Sequence, residues 1–267
     1  MRRRSKFRSR GLARRRRRWH TGRLFLYIMA STALVLLLAF LSHVEALSIA
    51  TISVEGAAAV SESEIKALVA EEIRGNYFKI FSKTNALIFP KRIIEKKLLV
   101  SFLTLRQADV YLDAPTAISV YVVERKPYGI WCDRAEVPSC FFIDGEGYAF
   151  SPAPDISGSI FIRFYRESKA FLGERYEREG FRELASFLDH LPDLKLTPVK
   201  VTLNAGDFRI TLDNGADIVV EEKQDLSAAF VTLLSLFEKE TLERELRDAK
   251  VIDLRFENKV FYRPEPA

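Results

Sequence analysis

Residues Arg106 to Glu124 read RQADVYLDAPTAISVYVVE. Ala108, Val110 and Leu112 alternate with Gln107, Asp109 and Tyr111. Further on, Ile118, Val120 and Val122 alternate with Ser119, Tyr121 and Val123. Successive side chains on a strand point to opposite faces, so each run predicts a strand with one buried side. Asp113-Ala114-Pro115 between them supplies turn chemistry, since Pro presets φ and Asp bonds nearby backbone.

The preceding segments predict a strand and two helices. ATISVEG gives a short strand over Thr51 to Val54, closed by Gly56. In SESEIKALVAEEIRGN, Ser61 and Glu64 form a capping-box pattern, and Ile65, Leu68, Val69 and Ile73 recur at helical spacing. Gly75-Asn76 ends that helix. FPKRIIEKKLLVSF predicts a second helix from Pro90, with Ile93, Ile94 and Leu98 as its apolar members. About residues 50–124 thus predict strand, helix, helix, strand, strand, an α+β unit with two helices over one face of a short sheet.

The N-terminus has a different character. Of 41 Lys and Arg residues, twelve fall within residues 1–23 with no acid among them, which leaves 29 basic against 36 acidic residues, net −7, for the remainder. LFLYIMASTALVLLLAFL, Leu24 to Leu41, follows without a charge. At ~1.5 Å per residue, ~20 residues cross a bilayer core, and the run exceeds the apolar region of a signal peptide. It predicts an uncleaved membrane anchor, with Trp19 and Tyr27 suited to the interface. Cations before the span place the N-terminus in the cytoplasm and everything from Glu45 onward outside. The Arg-rich tail is read as a topology signal and an anionic-lipid contact. A nucleic-acid surface is not expected, because the tail has no interleaved aromatic residues for base stacking beyond Phe7 and Trp19.

Beyond residue 124 strands dominate. Ile160, Ile162 and Phe164 alternate within Ser159 to Tyr165. A helix is predicted over about Tyr176 to Leu191, with Phe181, Leu184, Leu188 and Leu191 on one face and Pro192 stopping it. Val199, Val201, Leu203, Phe208, Ile210 and Leu212 predict a meander around a turn at Asn204 to Asp207. Asp213-Asn214-Gly215 is a hairpin signal before Ala216, Ile218 and Val220. Asp225 is a candidate N-cap for a helix burying Leu226, Phe230, Leu233, Leu234 and Phe237. VIDLRF and VFYR, around a turn at Glu257-Asn258-Lys259, close the fold.

Groups for catalysis are sparse. The three histidines are His20, His43 and His190, and no GxSxG, HExxH or phosphate-loop pattern occurs. The reading expects no enzyme, no cofactor, no metal and no small-molecule substrate. WCDRAEVPSCFFIDGEGYAF, Trp131 to Phe150, contains both cysteines. Zinc needs more ligands than Cys132 and Cys140 supply, and a redox C-x-x-C needs closer spacing. In an oxidising compartment a Cys132–Cys140 disulfide is favoured over two free thiols. Asp144-Gly145-Glu146-Gly147 resembles a calcium loop, but its strand-like flanks favour a tight turn.

In order along the chain, the basic tail, the span, ISVEG, the strand–helix–helix–strand–strand unit, VVERKPYGIW, FFIDGEGYAF and VIDLRF resemble the bacterial cell-division protein FtsQ/DivIB family. The resemblance implies a POTRA domain at 45–124 after a 1–23 tail and a 24–44 span. A mostly antiparallel β-domain with two helices would follow at 125–263, then a 264–267 tail. It implies a non-enzymatic bitopic scaffold at the division septum of the cell membrane, binding FtsB/DivIC-like and FtsL-like partners and organising septal wall synthesis. A POTRA-type membrane-anchored chaperone for secreted or outer-membrane proteins is the alternative. On the family pattern Arg255 and Phe256 would meet the partner, with Val260, Phe261 and Tyr262 as the edge for strand addition; the other reading makes Leu254, Phe256 and Phe261 core residues of the last hairpin. The cysteine pair is not part of that pattern, and residues 79–89 match it loosely.

Overall fold

The computed structural model describes residues 10–133, 139–154, 158, 160–166, 169–177, 179–256 and 259–264. The first nine residues, 134–138 of the cysteine loop, Ser159, Glu257-Asn258 of the last expected turn and 265–267 lie outside them. The chain divides into two units, Met1–Ser101 with Gln107–Val123, and Phe102–Arg106 with Glu124–Ala267. The second unit thus reaches back across the expected boundary near 124 to include Phe102–Arg106.

The first unit begins with a long helix, α1 (Arg10–Ser42). Its Gly22–Ser42 portion has a mean hydropathy of 2.5, the one such stretch among the described residues that is long and apolar enough to cross a membrane. There follow β1 (Thr51–Glu55), α2 (Glu62–Glu72), β2 (Asn76–Tyr77), β3 (Phe81–Ser82), α3 (Lys91–Ser101), β4 (Leu105–Ala114) and β5 (Ala117–Glu124). The three-stranded sheet runs β1-β5-β4, with β1 parallel to β5. Ile118, Val120 and Val122 are buried on β5, and Ile65, Val69, Ile94 and Leu98 are the buried residues of α2 and α3. Gly56 follows β1 at φ +85°, where a Cβ would lie 2.2 Å from the Val122 carbonyl oxygen.

Several local expectations shift. The β4–β5 turn falls at Pro115-Thr116, one residue later than the spacing suggests. Ile93 and Leu112 are exposed rather than core. Ser61 occupies the N-cap position of α2, but its hydroxyl bonds Ser63 Oγ at 2.7 Å and makes no side-chain cap bond, so the capping box does not form. The β2–β3 hairpin is not predicted by the sequence, because each arm is two residues long and carries no alternation to read.

The second unit holds β6 (Gly129–Cys132), β7 (Cys140–Ile143), β8 (Ala149–Pro152), β9 (Ile162–Tyr165), α4 (Phe181–His190), β10 (Pro198–Asn204), β11 (Asp207–Leu212), β12 (Asp217–Glu221), α5 (Leu226–Phe237), α6 (Glu240–Arg247), β13 (Ala249–Phe256) and β14 (Lys259–Pro264). Nine strands form one sheet in the order β14-β13-β12-β11-β10-β9-β6-β7-β8. Neighbours are mostly antiparallel, with parallel seams at β6–β9, β9–β10 and β12–β13.

The core lies where one sheet face meets the helices. Val201, Phe208, Ile210, Ile218, Val220 and Ile252 share a buried cluster with Leu184 and Leu188 of α4 and Leu226 and Leu233 of α5. Trp131, Phe164, Tyr176 and Phe181 add an aromatic cluster, with Phe164–Tyr176 centroids 5.3 Å apart. α4 starts five residues later than Tyr176. Gly180 is its N-cap in the left-handed region, and Tyr176 belongs to the core ahead of the helix. Pro192 does not end helical structure outright but sits in a 3₁₀ turn over Leu191–Leu194. Leu234 of α5 is exposed while Ala229 is buried. Ile160, exposed, precedes β9 instead of extending it. The described residues of this unit form three α-helices, not two, α6 being the one that the sequence reading does not anticipate.

Candidate interaction edge

Two features of the second unit gather polar and aromatic groups. One is the stapled β6–β7–β8 region. Cys132 and Cys140 are register partners and form a disulfide. In the turn after β7, Asp144 Oδ1 accepts from the Glu146 and Tyr148 backbone N–H groups, and the Asp144 carboxylate pairs with Arg125. Glu146 collects Arg182 at 2.7 Å, Arg106 at 3.0 Å and Arg175 at 3.2 Å. The Arg182 hydrogen bond, then Arg175 and the charge of Arg106, lower the Glu146 carboxyl to about 2. These carboxylates face guanidinium groups, as a structural turn would have it. Among the described residues, no three His, Cys, Asp or Glu side chains gather as a metal site.

The other feature is the β13–β14 hairpin at one end of the sheet. β14 pairs with β13 and has no strand on its other side among the described residues. A strand in that position leaves a row of backbone N–H and C=O groups without ladder partners. Its register pairs Ile252 with Tyr262, Asp253 with Phe261 and Phe256 with Lys259, with an irregularity before the turn.

Alternation along β14 sends neighbours to opposite faces. Val260 packs against the core on the helix side. Tyr262 is on the same side, and its hydroxyl donates to the Glu245 carboxylate of α6, which raises the phenol's pKa. Phe261 is on the open face, 55% exposed, and meets the 49% exposed Phe256 ring edge-on.

Arg255 braces that face. Its Nε donates to Asp253 Oδ1 at 2.9 Å, Nη2 to Asp253 Oδ2 at 2.6 Å and Nη1 to Asp207 Oδ2 at 2.7 Å. The Asp253 and Asp207 bonds raise the guanidinium pKa, and Arg255 in turn lowers that of Asp253. The Arg255 Cζ lies 5.9 Å from the Phe256 ring centroid.

A groove of about 440 Å³ opens beside the hairpin, lined among others by Gln224, Asp225, Ala228, Leu254, Phe256 and Val260. Asp225 Oδ1 caps α5 by accepting from Ser227 and Ala228 N–H groups, as the sequence predicts. Gln224 Nε2 donates to the Leu254 carbonyl at 2.7 Å and ties the start of α5 to β13.

The five residues predicted to meet a partner are therefore gathered on one hairpin but divided between its faces. Sequence reading misses the α5 side of the groove and Glu245. The signal present in the chain is Leu242 and Leu246 at i, i+4 spacing, which marks α6, with Leu246 buried.

No protein-family model matches the chain, and no curated protein matches it in sequence.

Proposed function

We propose that the chain is a bitopic membrane scaffold of the FtsQ/DivIB type. In this reading α1 crosses the cell membrane with the basic tail in the cytoplasm, and the rest of the first unit and all of the second lie outside it. The order β1, α2, α3, β4, β5 over a β1-β5-β4 sheet supports a POTRA domain. The sheet of the second unit corresponds to the family's β-domain. Neither unit has a catalytic role.

The observation that carries the reading is the position of β14. It is a six-residue strand at the end of a nine-stranded sheet, with half-exposed aromatic side chains beside it. Such a strand offers main-chain bonds to an added segment, while Phe256, Phe261 and the neighbouring groove select its side chains. The partners are FtsB/DivIC-like and FtsL-like division proteins, and septal wall synthesis is the process organised.

The test is capture of an FtsB/DivIC-like extracytoplasmic segment by the full-length protein, with and without Val260→Pro. Proline removes the residue's N–H and disfavours continued pairing. Binding by the parent and loss in the variant are expected. Binding that persists undiminished in a folded variant, or a tagged copy spread evenly over dividing cells, overturns the reading.

A further inference from the structure

The first unit has a basic, apolar surface next to the end of its apolar helix, and the division role does not use it. Every residue of α1 from Gly22 to Leu38 is exposed, whereas Ala39 is half-buried and Ser42 buried. These two are three residues apart and share a helix face. β3 packs on α1 there. The Ser82 backbone N–H donates to Ser42 Oγ at 3.2 Å, and Asn85 Nδ2 donates to the Ser42 carbonyl at 3.2 Å. The chain leaving α1 is pinned to the same loop, with Ala86 N–H on the Leu47 carbonyl and Ile49 N–H on the Thr84 carbonyl, 2.8 and 2.9 Å. The β2–β3 hairpin is therefore fastened at the level of the last turn of the apolar helix.

That hairpin presents large apolar side chains at its tip. Its tip is Phe78-Lys79-Ile80, with Phe78 89% exposed and Ile80 42%. Phe78 and Lys79 adopt φ of +50° and +66°, a region that bulky residues rarely occupy. Leu87 and Ile88, just past the pinned loop, are 73% and 41% exposed. Residues 74–92 also carry five cations, Arg74, Lys79, Lys83, Lys91 and Arg92, and no acid. This run lies in a chain whose portion after residue 23 is net acidic.

We propose that this surface is a second membrane contact. The hairpin tip and Leu87-Ile88 sit in the interface of the bilayer that α1 crosses, and the flanking cations meet anionic lipid headgroups. Apolar side chains beside a spanning helix, with Lys and Arg in the same stretch of chain, of which Lys91 pairs with Glu95 at 3.6 Å, match the chemistry of a headgroup–acyl boundary. The occupant is fixed by continuity, because the surface is fastened to the last turn of the helix that would be in that lipid. The inference rests on α1 spanning a bilayer and is independent of any division partner.

Full-length protein carrying Trp19→Phe, with or without Phe78→Trp, would be reconstituted in phosphatidylcholine vesicles containing bromine-labelled acyl chains. The vesicles would be prepared with and without phosphatidylglycerol. The expected result is Phe78→Trp emission that is blue-shifted and quenched by the bromine labels, over the background left by Trp131. Phosphatidylglycerol should deepen the quenching, and Lys79→Gln with Lys83→Gln should remove that gain. Phe78→Trp emission that stays water-like and unquenched in both lipids overturns the proposal. Extraction of the protein from vesicles by alkaline washing would refute the spanning premise instead, while loss of partner capture alone leaves this contact standing.

Discussion

Phe256 and Phe261 meet across the β13–β14 turn with centroids 5.1 Å apart and planes at 78°, while each ring stays about half exposed. An aromatic pair adds about 0.5–1.5 kcal/mol beyond area burial, so water on the outer faces limits what it gives the fold. Phe261→Ala should lower stability in urea unfolding by about 1 kcal/mol or less. If the rings anchor a partner, the same change should weaken its capture by about 2 kcal/mol. Matched losses in the two measurements would make the pair a fold element only.

The disulfide joins register partners with Cα atoms 4.1 Å apart and a sequence separation of 8. Closing so short a loop is worth about 2–3 kcal/mol by the chain-entropy account. Intact mass before and after reduction should differ by a pair of hydrogen atoms. The Cys132→Ser, Cys140→Ser double variant should lose roughly that stability, and identical urea midpoints would show that packing alone holds β6 on β7.

Glu146 ties Arg106, Arg175 and Arg182 to one turn, and its carboxyl is lowered from the usual 4.5 to about 2. A depressed carboxyl contributes stability that is fully present above its unfolded pKa and is lost as pH falls through the folded one. The stability gap between the parent and Glu146→Gln should hold from neutral pH down to about 4.5, then close towards about pH 2. A gap that does not change across this window would contradict the ion-pair account.

Gly56→Ala tests the first unit. A methyl group at φ +85°, 2.2 Å from the Val122 carbonyl oxygen, must move either β1 or β5. The expected cost is about 1–3 kcal/mol, with faster amide exchange in both strands. An unperturbed β1–β5 ladder would show that the backbone there yields more easily than the structure suggests.

The legible parts of this fold are those whose signal is local. Ile118, Val120 and Val122 alternate and are buried, Asp225 caps α5, and Asp213-Asn214-Gly215 turns β11 into β12. What escapes depends on partners far along the chain. Leu234 fits the apolar stripe of α5, but the helix buries Ala229 in its place because the sheet meets a different arc of its surface. The division of Val260 from Phe261 follows from β14's alternation, yet which face the helices cover cannot be read from six residues. Ser61 shows a pattern matched in residue type whose hydroxyl finds a nearer partner in Ser63.

The β12–β13 seam also bears on how a bound segment would be felt. Three register pairs, Asp217–Val251, Ile218–Ile252 and Val219–Asp253, join β13–β14 to the rest of the sheet. Antiparallel ladders lie on both sides of the seam, so it is a natural line along which the hairpin could open as a cooperative block. A ligand that binds only the closed hairpin lowers the population of the open form in proportion to its occupancy. Slower amide exchange at Ile218 and Ile252, residues that no added strand would touch, would then report occupancy of the edge from inside the sheet.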